Sequence, residues 1–498
     1  MAMPTLAHQV QTARRRSVPL ISLTTADPAA TLDGLATAVP GAPLLRWDSV
    51  QGLAGVTPEA QALLAGLVGG PFDLQATADP VQALMLAVKL PPNSVLVCLN
   101  VHRWVEQAPV AQAIWNLRNP FKADGRTLVL LSPAGLSLPA ELQQDLIHLE
   151  APLPADEELQ RLALVLYEAA EVSPPSEAAL HQIREATRGL SAFTAEQAMA
   201  LSLTPRGMDL PRLWGHKHRF IEMTPGLAVW RGGETFADLG GLANVKTFLR
   251  RLLQGRGRPG ALVFIDELEK ALAGASGELR DSSGVSQTML GALLSYMQDT
   301  QAGGVLLIGP PGSGKSQLAK AAGQEGGLPT VLFDLPGMKS SLVGESEARL
   351  RHALKVVTAI AHGAPLFIAT CNALGQLPPE LRRRFTFGTF FVDLPQPEEQ
   401  QAIWTIYLEK YSLPAQELPT DQGWSGADIR QCCDLAWRLE CSLLEAAAYL
   451  VPVSQSAPEQ LDQLRKLAHG RFISASDPGP YRYPTTPAAP ARKLALQE

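Results

Sequence analysis

Eight consecutive residues, Gly309-Pro310-Pro311-Gly312-Ser313-Gly314-Lys315-Ser316, combine three glycines with a lysine–serine pair. Glycines let backbone N–H groups turn inward around an anion. The helix that begins at Ser316 and Gln317 would add its positive end. Lys315 would reach the outer phosphates of a nucleotide, and the Ser316 hydroxyl would ligate Mg²⁺. An apolar run, GVLLI (304–308), precedes the loop. That is the strand–loop–helix context the GxxxxGK[ST] pattern requires. A second apolar run, ALVFI (261–265), ends in Asp266 and Glu267. Adjacent carboxylates at a buried strand end are costly without partners. Beside a phosphate loop, Asp266 would hold the Mg²⁺ through water, and Glu267 would orient and deprotonate an attacking water. A third run, PLFIATCN (365–372), ends in Asn372. Its amide could hold that water, although an Asx turn is a competing use. Leu381-Arg382-Arg383-Arg384-Phe385 follows. This is either a solvated basic face or an arginine finger for a neighbouring subunit, a device worth about 10³–10⁵ in rate.

These residues need strands to carry them. Short apolar runs at 261–267, 304–309, 330–335, 365–372 and 390–395, with helical segments between most of them, predict a parallel α/β sheet over about 236–395. Helical segments follow to about 470. Residues 17–152 show the same alternation, 153–202 read as helical, and 204–234 as a connecting stretch. The two α/β-then-helical halves look like a duplication. Prolines at 478, 480, 484, 487 and 490 suggest a disordered tail. At 498 residues, a soft prior gives about three domains. A hydrophobic content of 46% excludes wholesale disorder. Lys and Arg total 42 against 48 acids, a net charge of −6, which disfavours a chain coated in nucleic acid. Five cysteines without CxxC spacing indicate reduced thiols rather than a disulfide framework or a zinc site. The start has no apolar h-region and no apolar run reaches about 18 residues, so neither a signal peptide nor a membrane span is expected. The expected location is cytoplasmic.

Together these motifs resemble the AAA+ ATPase family, in its membrane-protease and protein-remodelling branch. TFADLGGLANVKTFLRRLL (235–253) is similar to that family's linker, whose Asp238, Gly240 and Gly241 positions lie against adenine. LVGESEARLRHAL (342–354) resembles the segment after the second strand. GWSGADIRQCCDLAW (423–437) resembles the lid helix, where Gly426 and Ala427 close on the nucleotide. The N-terminal half is similar to chloroplast- and cyanobacterial-type tandem AAA+ proteins with a degenerate first domain. There VPLISLTTADPAATL (18–32) lacks GK[ST], and SVLVCLNVHRW (94–104) has Asn100 and Val101 in place of the acids. The resemblance implies an α/β P-loop NTPase with a helical lid, preceded by a degenerate α/β domain with its own lid. The implied boundaries are 1–152, 153–234 (lid and linker), 235–395, 396–471 (lid) and a tail at 472–498. It implies ATP and Mg²⁺ as cofactors, hydrolysis, and a homo-oligomeric ring, expected to be hexameric, that remodels an unknown protein substrate. Alternatives are a nucleotide-gated scaffold with weak hydrolysis and a nucleic-acid motor or loader. No membrane partner is expected.

The sequence departs from the family pattern in order. Asp266-Glu267 precede Lys315 by about fifty residues, whereas the family places the acidic strand third. One strand–helix unit is transposed. A parallel sheet tolerates this when each crossover is long and right-handed. The spatial order should therefore survive, with Asp266 and Ser316 facing each other across roughly 4–6 Å. The segment Met338–Val343 lacks the aromatic that grips a threaded chain in the family, which weakens an expectation of processive unfolding. The arginine segment is shortened, and Arg384, then Arg382, is the expected finger.

Overall fold

The computed structural model describes residues 5–67, 75–133, 138–271, 285–338, 345–361, 363–373, 377 and 379–483. The chain divides into two compact units, Met1–Trp214 and Gly215–Glu498. In the first unit, β1 (Leu20–Thr24) leads into α1 (Pro28–Ala38). There follow β2 (Leu44–Asp48), β3 (Gly52–Gly55), β4 (Val95–Leu99), β5 (Thr127–Ser132) and β6 (Ile147–Glu150). The sheet runs β3-β2-β4-β5-β1-β6, parallel except that β3 is antiparallel to β2. Its central strands are buried on both faces, as their unbroken apolar runs require. A helical region ends in α2 (Ala192–Ser202) and a short hairpin of β7 (Leu203–Thr204) and β8 (Gly207–Met208). The division falls within α3 (Leu210–Glu222).

The second unit opens with β9 (Leu227–Val229), α4 (Ala243–Gln254), β10 (Leu262–Ile265), α5 (Leu268–Ala271) and α6 (Val285–Asp299). It continues with β11 (Gly304–Ile308), α7 (Lys315–Gly326), β12 (Thr330–Phe333), α8 (Glu345–Ala361), β13 (Leu366–Cys371) and β14 (Gly388–Phe391). The lid carries α9 (Pro397–Lys410), α10 (Gly426–Leu439) and α11 (Pro458–Ala468), and β15 (Ile473–Ser474) closes the unit. The sheet order is β15-β14-β11-β13-β10-β12-β9. Strands β10 to β14 are parallel, and β9 lies antiparallel at the edge. Alternation sends Val263, Ile265, Leu306, Ile308, Phe367 and Ala369 into one core and Leu262, Phe264, Val305, Leu307, Leu366 and Ile368 into the other.

The two sheets share one spatial order. Read from β6, the first runs β6-β1-β5-β4-β2-β3; read from β14, the second runs β14-β11-β13-β10-β12-β9. Each ends in an antiparallel edge strand. The strand matching β10 is β4, which follows β1 and β2 in the chain, whereas β10 precedes β11. The first unit thus keeps the untransposed order, and the second reaches the same spatial order with that strand, and the edge strand β9, placed earlier in the chain.

Three sequence expectations are corrected. The linker at 204–234 holds α3 and β9, and β9 pairs with β12, so the second unit begins near Gly215 rather than at 235. The tail is not disordered from 472: β15 pairs with β14, and Tyr481 packs on Phe391 with ring centroids 4.4 Å apart. Burying that aromatic outweighs the proline content. Residues 484–498 lie outside the described residues. Finally, Asn100 and Glu267 share a left-handed backbone, φ 54° and 47°. Leu99 and Asn100, not Asn100 and Val101, therefore stand where the second unit has Asp266 and Glu267.

Candidate functional site

Strand β11 ends at Ile308, and the chain wraps through Gly309–Gly314 into α7. Gly312 has φ 79°, and a Cβ there would lie 2.6 Å from Ser425 Oγ, so only glycine fits. The Lys315 side chain is buried, at 5% exposure. Its Nζ donates to the Gly309 carbonyl at 2.9 Å, the Pro310 carbonyl at 2.6 Å and Ser313 Oγ at 3.3 Å. Burial brings its pKa down to about 8, with nearby acids pulling the other way.

Asp266 lies at the end of β10, with β13 between it and β11. Its Oδ1 accepts Ser316 Oγ at 2.8 Å and Thr370 Oγ1 at 2.5 Å. Asp266 and Ser316 are thus directly hydrogen-bonded, closer than the water-bridged gap expected from the sequence. Thr370 Oγ1 also accepts the Glu267 N–H at 2.9 Å. The Glu267 carboxylate accepts Asn372 Nδ2 at 3.3 Å and Lys270 Nζ at 2.8 Å. The Asn372 N–H donates to Glu269 Oε1 at 3.0 Å. Glu269 is 3% exposed, and its Oε2 has no partner among the described residues. The ends of β10 and β13 are therefore stitched by the side chains of Asp266, Glu267, Glu269, Thr370 and Asn372.

A cavity of about 270 Å³ opens above these groups. It is lined by Pro311 to Gln317, Asp266, Glu267 and Asn372 on the phosphate side, and by Gly426 and Ala427 on the lid side. The Ser425 side chain caps α10 in a capping box with Asp428, and the Ala427 N–H donates to the Gly312 carbonyl at 3.1 Å. Asp238 and Gly240 line the far end with Leu242, Ile403 and Tyr407. Asp238 is engaged in capping its own turn. Its carboxylate accepts the Thr235 N–H at 2.7 Å, which holds it below the usual carboxylate range. A Cβ on Gly240 would fall 2.8 Å from the Ile403 nitrogen, so linker and lid meet closely there. Gly309 and Pro310 do not line the cavity but receive Lys315 through their carbonyls. Arg384 donates to Gln298 Oε1 at 2.7 Å, and Arg382 Nε is buried without a partner among the described residues. Neither arginine lines this cavity. Of the segment Met338–Val343, where the family carries its gripping aromatic, residues 339–343 lie outside the described residues.

The sequence reading missed Thr370, Glu269 and Glu399. Thr370 lies two residues before Asn372 and so shares its face of β13. Glu269 lies two beyond Glu267, where any acid could be taken for solvated. Glu399 Oε1 accepts the Leu242 N–H at 2.9 Å and Ser476 Oγ at 2.8 Å, joining the lid to the linker and to the C-terminal segment. No local pattern marks a contact over that separation.

Two family profiles match the chain. Residues 7–151 match "SpoVK-like AAA ATPase, N-terminal domain", and residues 305–363 match "ATPase family associated with various cellular activities (AAA)". Both stretches are AAA ATPase-family sequence. The second match begins at β11 and ends just after α8, which is where the transposed order departs from the family pattern. The "Uncharacterized AAA domain-containing protein ycf46" of Guillardia theta is 22% identical over 457 residues, covering 79% of this chain and 83% of that protein. Its namesake from Gracilaria tenuistipitata var. liui is 26% identical over 411 residues, covering 72% and 76%. The human "ATPase family gene 2 protein homolog B" is 36% identical over 85 residues, 16% of this chain and 11% of that protein. No helix among the described residues is long and apolar enough to cross a membrane.

Proposed function

We propose that this AAA-family chain hydrolyses ATP with Mg²⁺ and uses the cycle to remodel a protein partner as a homo-oligomeric, hexameric ring in the cytoplasm. The observation that carries the reading is the 2.8 Å contact between Ser316 and Asp266, fifty residues apart in transposed order. Hard oxygen donors from a hydroxyl and a carboxylate suit Mg²⁺, and the glycine turn at Gly312 suits phosphate oxygens. Bound there, Mg²⁺ would offset charge on the outer phosphates. The backbone N–H groups of the loop and the α7 N-terminus bind the phosphates. Lys315 exchanges its carbonyl partners for phosphate oxygens. Asn372 and Glu267 hold a water between them, and the Glu267 carboxylate accepts its proton. Asp238, Gly240, Leu242 and Tyr407 enclose the base. Arg384, with Arg382 as second choice, does not line its own chain's cavity and would serve the neighbouring subunit.

Steady-state ATP turnover and nucleotide binding test this together. Glu267→Gln should lower turnover by about 10² or more while retaining ATP, a loss typical of a general base. Lys315→Ala should lose binding. Wild-type turnover no higher than that of Glu267→Gln would refute hydrolysis and favour the nucleotide-gated scaffold. The net charge of −6 speaks against a nucleic-acid motor.

A further inference from the structure

Because β1 holds in the first sheet the place β11 holds in the second, Thr25–Asp27 is the counterpart of the phosphate loop. It contains no glycine, and its polar groups bond one another. The Asp27 N–H donates to Thr25 Oγ1 at 3.0 Å, Thr31 Oγ1 donates to the Asp27 carbonyl at 2.7 Å, and the two threonine hydroxyls meet at 2.7 Å. The Asp27 carboxylate is shared. Oδ1 accepts the Ala30 N–H at 3.2 Å and caps α1. Oδ2 accepts, at 3.0 Å, the N–H of Phe193, 166 residues away. Phe193 is the second residue of α2, behind the N-cap Ser191. In the second unit the matching amide belongs to Ala427, second residue of α10 behind the N-cap Ser425, and it donates to the loop carbonyl of Gly312.

Both units therefore make a bond from lid helix to loop. In the first, its acceptor is a negative charge set between two helix N-termini, where an anion is favoured. The cavity that remains beside it is about 180 Å³, and it is lined by a second acid, Glu158. Two carboxylates repel phosphate. We infer that Asp27 is a built-in anion that stands in for nucleotide phosphate and holds the lid of the first unit on its core with no ligand. The first unit is then a closed scaffold whose lid does not follow the nucleotide cycle, while the lid of the second unit does.

Hydrogen exchange on the full chain, resolved to single amides, tests this with and without ATP and Mg²⁺. In the wild type, protection of Phe193 should not change with nucleotide. Asp27→Ala should speed exchange at both Ala30 and Phe193 by about tenfold. Asp27→Asn has the same shape but one acceptor oxygen, so it should keep one of the two amides protected and release the other. The Asn variant decides the matter if the Ala variant fails to fold. Wild-type exchange rates at both amides in Asp27→Asn, or a rise in Phe193 protection on adding ATP to the wild type, would overturn the inference.

Discussion

Thr370 and Glu269 hold the backbone N–H groups of Glu267 and Asn372, the two residues proposed to share the attacking water. Thr370→Val removes the hydroxyl that bridges the Asp266 carboxylate and the Glu267 N–H. Turnover should fall about tenfold or more, because misplacing reacting groups is expensive, while ATP affinity changes little. Glu269→Ala leaves the Asn372 N–H without its acceptor, at a stability cost of about 1–3 kcal/mol. Glu269→Gln keeps an acceptor oxygen and should restore most of both turnover and melting temperature. Lys315 gives a pH signature. Its pKa is about 8 in the folded chain, against 10.5 for a free lysine. The unfolded chain therefore binds more protons between those values, so nucleotide-free stability rises as pH goes from 8 to 10.5. Lys315→Met should stabilise the nucleotide-free protein more at about pH 7 than at about pH 10, as read by denaturant titration. The phosphate loop and the acidic pair were legible because their chemistry is written in adjacent residues. Thr370 and Glu269 were not, because their partners lie more than a hundred residues away.

At the scale of elements, the parallel strands were legible from their apolar runs, and the short edge strands were not. Strands β9 and β15 are three and two residues long, and each depends on the neighbour it pairs with rather than on its own pattern. The C-terminal segment shows what such pairing does. Asp393 follows β14, and its carboxylate accepts Arg465 Nε at 2.9 Å and Tyr481 Oη at 2.5 Å. The Asn244 side chain donates to the Ser474 carbonyl at 2.7 Å, tying the start of α4 to β15. Removing 472–498 takes away β15 and Tyr481 and should lower the melting temperature by several degrees, since each buried hydrogen bond contributes about 1 kcal/mol. An unchanged melting temperature would show that the segment 472–483 is an unanchored tail.

For the whole molecule, the two sheets share one spatial strand order but not one chain order. The first unit shows the sheet built in one chain order, and the second builds it in another. A parallel sheet permits this because helical crossovers, not hairpins, join its strands. If Arg384 acts on a neighbour, mixed rings of Arg384→Ala and Glu267→Gln chains should turn over faster than either variant alone. In such rings the intact base of one chain meets the intact arginine of the other. Turnover no better than the average of the two would place the finger elsewhere. On the proposed reading, the transposed strand still builds a metal site. The direct measurement is a structure of Glu267→Gln with ATP and Mg²⁺. The Asp266 carboxylate and the Ser316 hydroxyl should share one Mg²⁺, roughly 4–6 Å apart where water intervenes; a separation above about 10 Å, too far for one ion to span, would rule the shared site out.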